Sequence, residues 1–302
     1  MKEPIFINGQ YRTRTTWWFT KFRESDKTHC YYTPLAPALS DNSPNDRGFF
    51  SNEKTLRHEL TDHYFMEYPH FEKILPTARD WSQHPYVMGP NDKNLEMKAH
   101  ITSLIDYAYS LGKTPVFKLN NALLRGAWLK ENFGGVHIYL FRDFQSITAS
   151  FESEGIADWA WAYTISDIGQ NCNHPVIAPI ANHLGYHPEK TKYSESGKKA
   201  ISFWKDKHEK GIFNETTKLE VVTYLQSLAL HHAENHYADI IIKSYENITR
   251  IEKSIKELTG ISLDLSSFDS KKSNKLNNDV QELDLNYLIK PAILNLEELM
   301  HF

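Results

Sequence analysis

Five short apolar runs, at residues 5–8, 30–33, 115–119, 136–141 and 239–243, punctuate a chain whose intervening segments repeat apolar positions at helical spacing. Most of these runs are continuously apolar, the pattern of parallel strands covered on both faces. The segment 94–111 is the clearest helix. Leu95, Ile101, Leu104, Ile105, Ala108 and Leu111 share one stripe, with Asn94 as N-cap and Gly112 as the C-terminal stop. Helices are also expected at 121–132, 144–153, 217–235 and 248–258. Strand alternating with helix predicts an α/β fold, an open parallel sheet of about five strands flanked by helices.

Two stretches interrupt the alternation. Residues 34–93 are rich in Pro, Asn, Asp and His, with a helix expected near 53–65, and residues 154–216 carry Trp159, Trp161, Tyr163 and Tyr186. Both read as insertions in one domain spanning 1–302. Ligands of open α/β sheets bind beyond the carboxyl ends of the strands, so the insertions are expected to build an acceptor side there. The aromatic residues of the second insertion fit either stacking on an acceptor or the core. A polar run at 266–279, with Lys271, Lys272 and Lys275, reads as a loop before a short C-terminal helix.

Composition narrows the partners. The chain has 302 residues, with 34 Lys and Arg against 38 Asp and Glu, a net charge of −4. That balance argues against nucleic acid as a partner and makes any cationic cluster local. Cys30 and Cys172 form no CxxC pair, so a reducing compartment is the default. The early first strand leaves no room for a signal peptide, and no apolar run of about 18 residues predicts membrane insertion. A soluble, cytoplasmic protein is expected.

The chemistry concentrates where the first strand gives way to a helix, in "NGQYRTRTTW" (8–17). Asn8-Gly9 reads as the turn. Helix N-terminal N–H groups and the helix dipole attract phosphate, with Arg12 and the hydroxyls of Thr13, Thr15 and Thr16 nearby. A threonine-capped helix with surface arginines reads equally well from these residues alone. The Walker pattern, GxxxxGK followed by Ser or Thr, is absent. The fourth strand ends in Arg142-Asp143, and Ser150 lies about two turns into the helix that follows.

Together, "YRTRTTW" and "RDFQSITAS" resemble the two nucleotide-binding signatures of the sulfotransferases, which use 3′-phosphoadenosine-5′-phosphosulfate. "YYTPLAPAL" (31–39), "PVFKLNNALLRGAWLKENF" (115–133) and "IIIKSYENI" (240–248) are similar to further family segments in the same order. The resemblance spans about a third of the chain. It implies a P-loop-NTPase-like architecture and sulfuryl transfer to a hydroxyl or amine acceptor, such as a carbohydrate or small metabolite. It implies that Arg12, Thr13, Thr15 and Thr16 hold the 5′-phosphosulfate and that Trp17 packs near the adenine. Arg142 and Ser150 would take the 3′-phosphate, Tyr245 would reach the nucleotide, and Lys118 would touch the sulfuryl group. Lys271 and Lys275 are further candidates for the nucleotide.

Four positions depart from the family pattern. Arg14 stands at its glycine, either changing the turn or adding a guanidinium to the phosphosulfate. Phe144 replaces a proline, Asn120 stands where some members carry a histidine base, and Thr33 where bacterial members often carry glutamate. The base is therefore sought in the 34–93 insertion, with His58 first and Glu59 second in "LRHELTDHYFMEYPHF" (56–71), then Asp41. No metal is expected, because His58, His63, His231, His232 and His236 match no metal-ligand motif. Two other readings remain: a non-catalytic nucleotide-binding regulator on the same fold, and a P-loop kinase-like enzyme.

Overall fold

The computed structural model describes residues 3–35, 67–68, 85–120, 122–153, 157–185, 215–243, 246–267 and 285–301. Its strands are β1 (Ile5–Gly9), β2 (Thr28–Tyr32), β3 (Thr114–Leu119), β4 (Val136–Phe141) and β5 (Ile240–Lys243). All pair in parallel in the order β2-β3-β1-β4-β5, forming one open sheet. Every expected strand is present, each within two residues of the boundaries that the apolar runs predict.

Both faces of the sheet are buried, which explains why the strands lack a polar alternation. Phe6, Tyr31 and Phe117 point to one face. There they meet Met97, Ile101 and Leu104 of α2 (Leu95–Ser110) and Trp128 of α3 (Gly126–Phe133). Ile5, Ile7, Val116, Ile138 and Leu140 point to the other, against Trp18, Phe19 and Phe22 of α1 (Thr15–Arg23). A further layer packs on Tyr139. It is built by α4 (Phe144–Ser153), α5 (Ala157–Gln170), α6 (Ala178–His183), α7 (Glu215–His232) and α9 (Asn286–His301). The remaining helix, α8 (Ile248–Thr259), buries Ile251 and Ile255 beside β5.

Local signals set the ends of α2. The Asn94 side chain accepts a hydrogen bond from Met97 N at 3.0 Å, and Gly112 adopts φ 69° just beyond the last turn. Leu95 and Leu111 leave the expected stripe, being 76% and 46% exposed. They flank the part of α2 that faces the sheet, and His100 and Met97 take core positions instead.

Other boundaries depend on tertiary contacts. The third helix begins at Gly126, not 121, because the backbone of residues 122–125 is used otherwise. Leu124 bridges Val87, and its carbonyl accepts from Met88 N at 2.9 Å. Gly126 also lies so close to the Tyr237 ring that a Cβ would sit 2.2 Å from it. The seventh helix ends at His232 and continues as a π-helical turn, Ala233–Tyr237, closed by Ala238 N donating to Ala233 O at 3.0 Å. The last helix is long, 16 residues running through Pro291.

Little of the first insertion falls within the described residues, but Glu67 and Tyr68 lie against the sheet edge. Tyr68 Oη donates to Tyr32 O at 3.1 Å, and Glu67 forms a two-pronged ion pair with Arg23. In the second insertion Trp161 is fully buried in the helical layer, a core residue and not an acceptor platform. The side chains of Trp159 and Tyr163, together with Tyr186, lie outside the described residues, as does the helix expected near 53–65. Among the described residues no helix is long and apolar enough to cross a membrane, and both cysteines are buried free thiols.

Because its cap is formed by a single side chain, Asn94→Ala should lower the unfolding free energy by about 1 kcal/mol. Urea denaturation monitored by circular dichroism measures this. An unchanged midpoint would mean that the cap contributes nothing against solvent.

Candidate functional site

The site is defined by β1, the central strand, and by the two strands beside it. β3 delivers Lys118 and Asn120 to one side of the β1 carboxyl end, and β4 delivers Arg142 to the other. The chain turns at Gln10–Arg14, not at Asn8-Gly9, since both of those residues remain in β1. Gly9 is needed for closeness: a Cβ there would meet Thr13 Oγ1 at 2.5 Å and Leu140 O at 3.0 Å.

Two arginines carry the turn in the left-handed region, Arg12 at φ 69° and Arg14 at φ 67°. Left-handed backbone costs a non-glycine residue on the order of 1–3 kcal/mol. Arg14 thus keeps the conformation that a glycine would take freely. It is the N-cap of α1, and its side chain makes no capping hydrogen bond. A left-handed residue followed by a helical one turns successive N–H groups into a common concavity suited to an anion. The first turn of α1 contains no acidic side chain.

The hydroxyls divide their work. Thr13 Oγ1 donates to Gln10 O at 2.7 Å and so closes the turn, leaving no proton to offer a phosphate. Thr15 Oγ1 accepts from Asn120 Nδ2 at 2.9 Å, and the same amide donates to Gly9 O at 3.1 Å. Asn120 is therefore a brace between β3 and the turn. This role was hidden in the sequence, where only its neighbourhood with strand three was visible. Thr16 and Trp17 follow on the half-exposed side of α1, Trp17 packed edge-on against Trp18 with ring centroids 5.0 Å apart.

The second element docks on the first. Arg142 Nη1 donates to Arg12 O at 2.9 Å, and Arg12 Nε donates to Ser150 Oγ at 2.8 Å. Asp143 caps α4 by accepting from Ser146 N at 2.7 Å. Burial lowers the pKa of Arg142, and the neighbouring cations Arg14 and Arg12 lower it further, with Asp143 opposing them. Its Nε is buried without a hydrogen-bond partner among the described residues. Asn8, which the sequence reading placed in a turn, is fully buried, and neither amide atom has a partner there. Its sequence signal was a polar residue closing an otherwise apolar run.

Lys118 does not snorkel. It is 3% exposed, with Nζ 4.0 Å from the centroid of the Tyr32 ring, and burial lowers its pKa to about 7. Thr33, at φ 42°, donates its N–H to Lys118 O at 3.0 Å and closes the end of β2 over it.

The structure thus joins Arg142 and Ser150 to the turn that carries Arg12, Thr13, Arg14, Thr15, Thr16 and Trp17, while Lys118 lies on the neighbouring β3 against Tyr32. His58, Glu59, Asp41, Tyr245, Lys271 and Lys275 lie outside the described residues. Glu67, from the segment searched for a base, is held by Arg23. Comparison with protein-family models, with curated proteins and with solved structures finds no match for this chain.

Arg14→Gly should relieve the left-handed strain, offset by about 0.5–1 kcal/mol of extra glycine entropy. The expected outcome is stability unchanged or raised by about 1 kcal/mol in urea unfolding. A loss above that size would show that contacts of the Arg14 side chain outweigh the strain.

Proposed function

We propose that the chain is a sulfotransferase that takes its sulfuryl group from 3′-phosphoadenosine-5′-phosphosulfate and passes it to a hydroxyl or amine acceptor. One observation carries this reading. The uncapped, left-handed entry to α1 and the Arg142–Ser150 element, far apart in sequence, are joined through Arg12 by bonds of 2.9 and 2.8 Å. Two anion-receptive elements so joined suit a ligand with two phosphate-type groups, and adenosine 3′-phosphate 5′-phosphosulfate is such a ligand.

In this reading the N–H groups and Thr15 hydroxyl at the start of α1 receive the 5′-phosphosulfate, while Arg142 and Ser150 receive the 3′-phosphate. The acceptor oxygen or nitrogen attacks sulfur, the bond from sulfur to the bridging phosphate oxygen breaks, and adenosine 3′,5′-bisphosphate leaves. Negative charge grows on that bridging oxygen, beside Arg12 and within reach of α1's positive end. The acceptor proton passes to a base, for which His58 and Glu59 remain the candidates. A second reading, nucleotide binding without chemistry, is favoured by one fact: Asn120, at the position of a family base, is committed to bracing the turn.

Calorimetry tests the proposal directly. Adenosine 3′,5′-bisphosphate should bind at least tenfold more tightly than AMP, since a charge-assisted hydrogen bond contributes roughly 1.5–3 kcal/mol. Arg142→Ala should remove that preference. Equal affinities in the wild type would overturn the reading, and tight binding with no turnover on a panel of hydroxyl and amine acceptors would favour the second one.

Lys118 supplies a separate check. With its pKa lowered to about 7 by burial, the amine is largely neutral at pH 8 in the free protein. A nearby polyanion favours the charged form and raises the pKa. Binding at pH 8 should therefore take up a proton, seen as a dependence of the calorimetric enthalpy on buffer ionisation, and uptake should vanish below about pH 6. Lys118→Met should abolish it. Buffer-independent enthalpies at pH 8 would show that Lys118 does not meet the ligand's charge.

A further inference from the structure

At the opposite end of the sheet, where β5 begins, three side chains of metal-ligating type converge on one point. His231 lies in the last turn of α7, His236 in the π-helical turn, and Glu297 on α9. Nε2 of His231 is 2.5 Å from Glu297 Oε1, and Nε2 of His236 is 3.0 Å from that same oxygen. One ligand atom from each residue lies within 4.8 Å of the others.

The π-helical turn is what makes this cluster. Residues five apart on an α-helix stand about 140° apart around its axis, at 100° per residue. A turn closed by i→i+5 bonds brings such residues back to one side, and π-turns recur at functional sites. Ala238 N bonding to Ala233 O provides that closure, and the rings of His231 and His236 end with centroids 6.3 Å apart. Read as an α-helix, the same two histidines would face different directions, which is why no ligand motif was visible in the sequence.

We propose that His231, His236 and Glu297 bind a divalent transition-metal ion, with Zn2+ the best match to two imidazoles and one carboxylate. Donors about 2.0–2.1 Å from a tetrahedral zinc stand about 3.3 Å from one another, so the observed atoms need shift only by fractions of an ångström to about an ångström. The side chains are 28%, 14% and 32% exposed, leaving a solvent path for the ion and room for water in the fourth position. With a metal on Nε2 the ring proton of His231 stands on Nδ1, which lies 3.3 Å from the Asn235 side-chain amide, whose oxygen can accept it once the amide is turned. The ion would join α9 to the end of α7 and the π-helical turn. It lies away from the carboxyl ends of the strands, separate from the site of the proposed sulfuryl transfer.

The alternative is a carboxylate accepting two imidazole hydrogen bonds with no metal. Protein stripped with EDTA and titrated with ZnCl2 separates the two. One equivalent should bind, raising Tm by about 5 °C at a hundredfold excess over Kd. Co2+ in its place should give the intense visible absorption of a four-coordinate ion. His236→Gln and Glu297→Gln should each weaken binding at least tenfold. Stoichiometric Zn2+ should also protect His231 and His236 of the wild type from diethyl pyrocarbonate, as mapped by mass spectrometry, whatever the folding of the variants. Absence of saturable binding, equal binding by the folded variants, or unprotected His231 and His236 would overturn the proposal. In the second case the metal sits on others of the fifteen histidines.

Discussion

The backbone between β1 and α1 has to reverse direction within five residues while wedged between β3 and β4. Gly9 is already so close to Thr13 and Leu140 that it admits no side chain. The left-handed conformations of Arg12 and Arg14 follow from that crowding. The Arg12 carbonyl in this turn accepts from Arg142. Local strain of this kind persists only where surrounding structure fixes it. Here Asn120 fixes it from β3, holding Gly9 O and Thr15 Oγ1 with one amide.

The turn also concentrates positive charge. Arg12, Arg14 and Arg142 lie close enough for the first two to depress the pKa of the third, and burial of Lys118 is sufficient to lower its pKa to about 7. In a chain of net charge −4 this is a local assembly, not a general cationic surface. Gathering like charges costs free energy in the unliganded protein, and a bound anion offsets that cost. Asp143 is the acidic residue beside Arg142, and its side chain is occupied with capping α4.

What could be read in the sequence was local. The five strands announced themselves by continuous apolar runs, and Asn94 and Gly112 marked the ends of α2 by their own chemistry. The family resemblance placed Arg142 and Ser150 beside the first turn, and Arg12 bonds to both. What failed depended on partners distant in sequence. Leu124 bridges Val87, and so α3 starts late. Trp161, which the sequence left open between core and acceptor, fills a core formed by helices whose packing no local pattern reveals. Asn120 resembled a displaced catalytic position and proved to be a brace, because its partners lie on β1 and α1.

The π-helical turn shows the same limit in sharper form. An α-helical period carried on from 217–235 to residue 236 would put His231 and His236 on different faces, and the bond from Ala238 N to Ala233 O brings them together. The insertion of one extra residue per turn also adjusts the approach to β5, where Tyr237 packs on Gly126 and His137. Tyr237 is buried against the start of α3, so the π-turn cannot relax to an α-turn without rotating this ring out of the core. Packing on one side therefore holds two imidazoles together on the other, and Glu297 meets both through a single oxygen. The two ends of the sheet are thereby built on opposite principles. Strained backbone gathers cations at the carboxyl ends of the strands, and an irregular helix gathers imidazole and carboxylate groups where β5 begins.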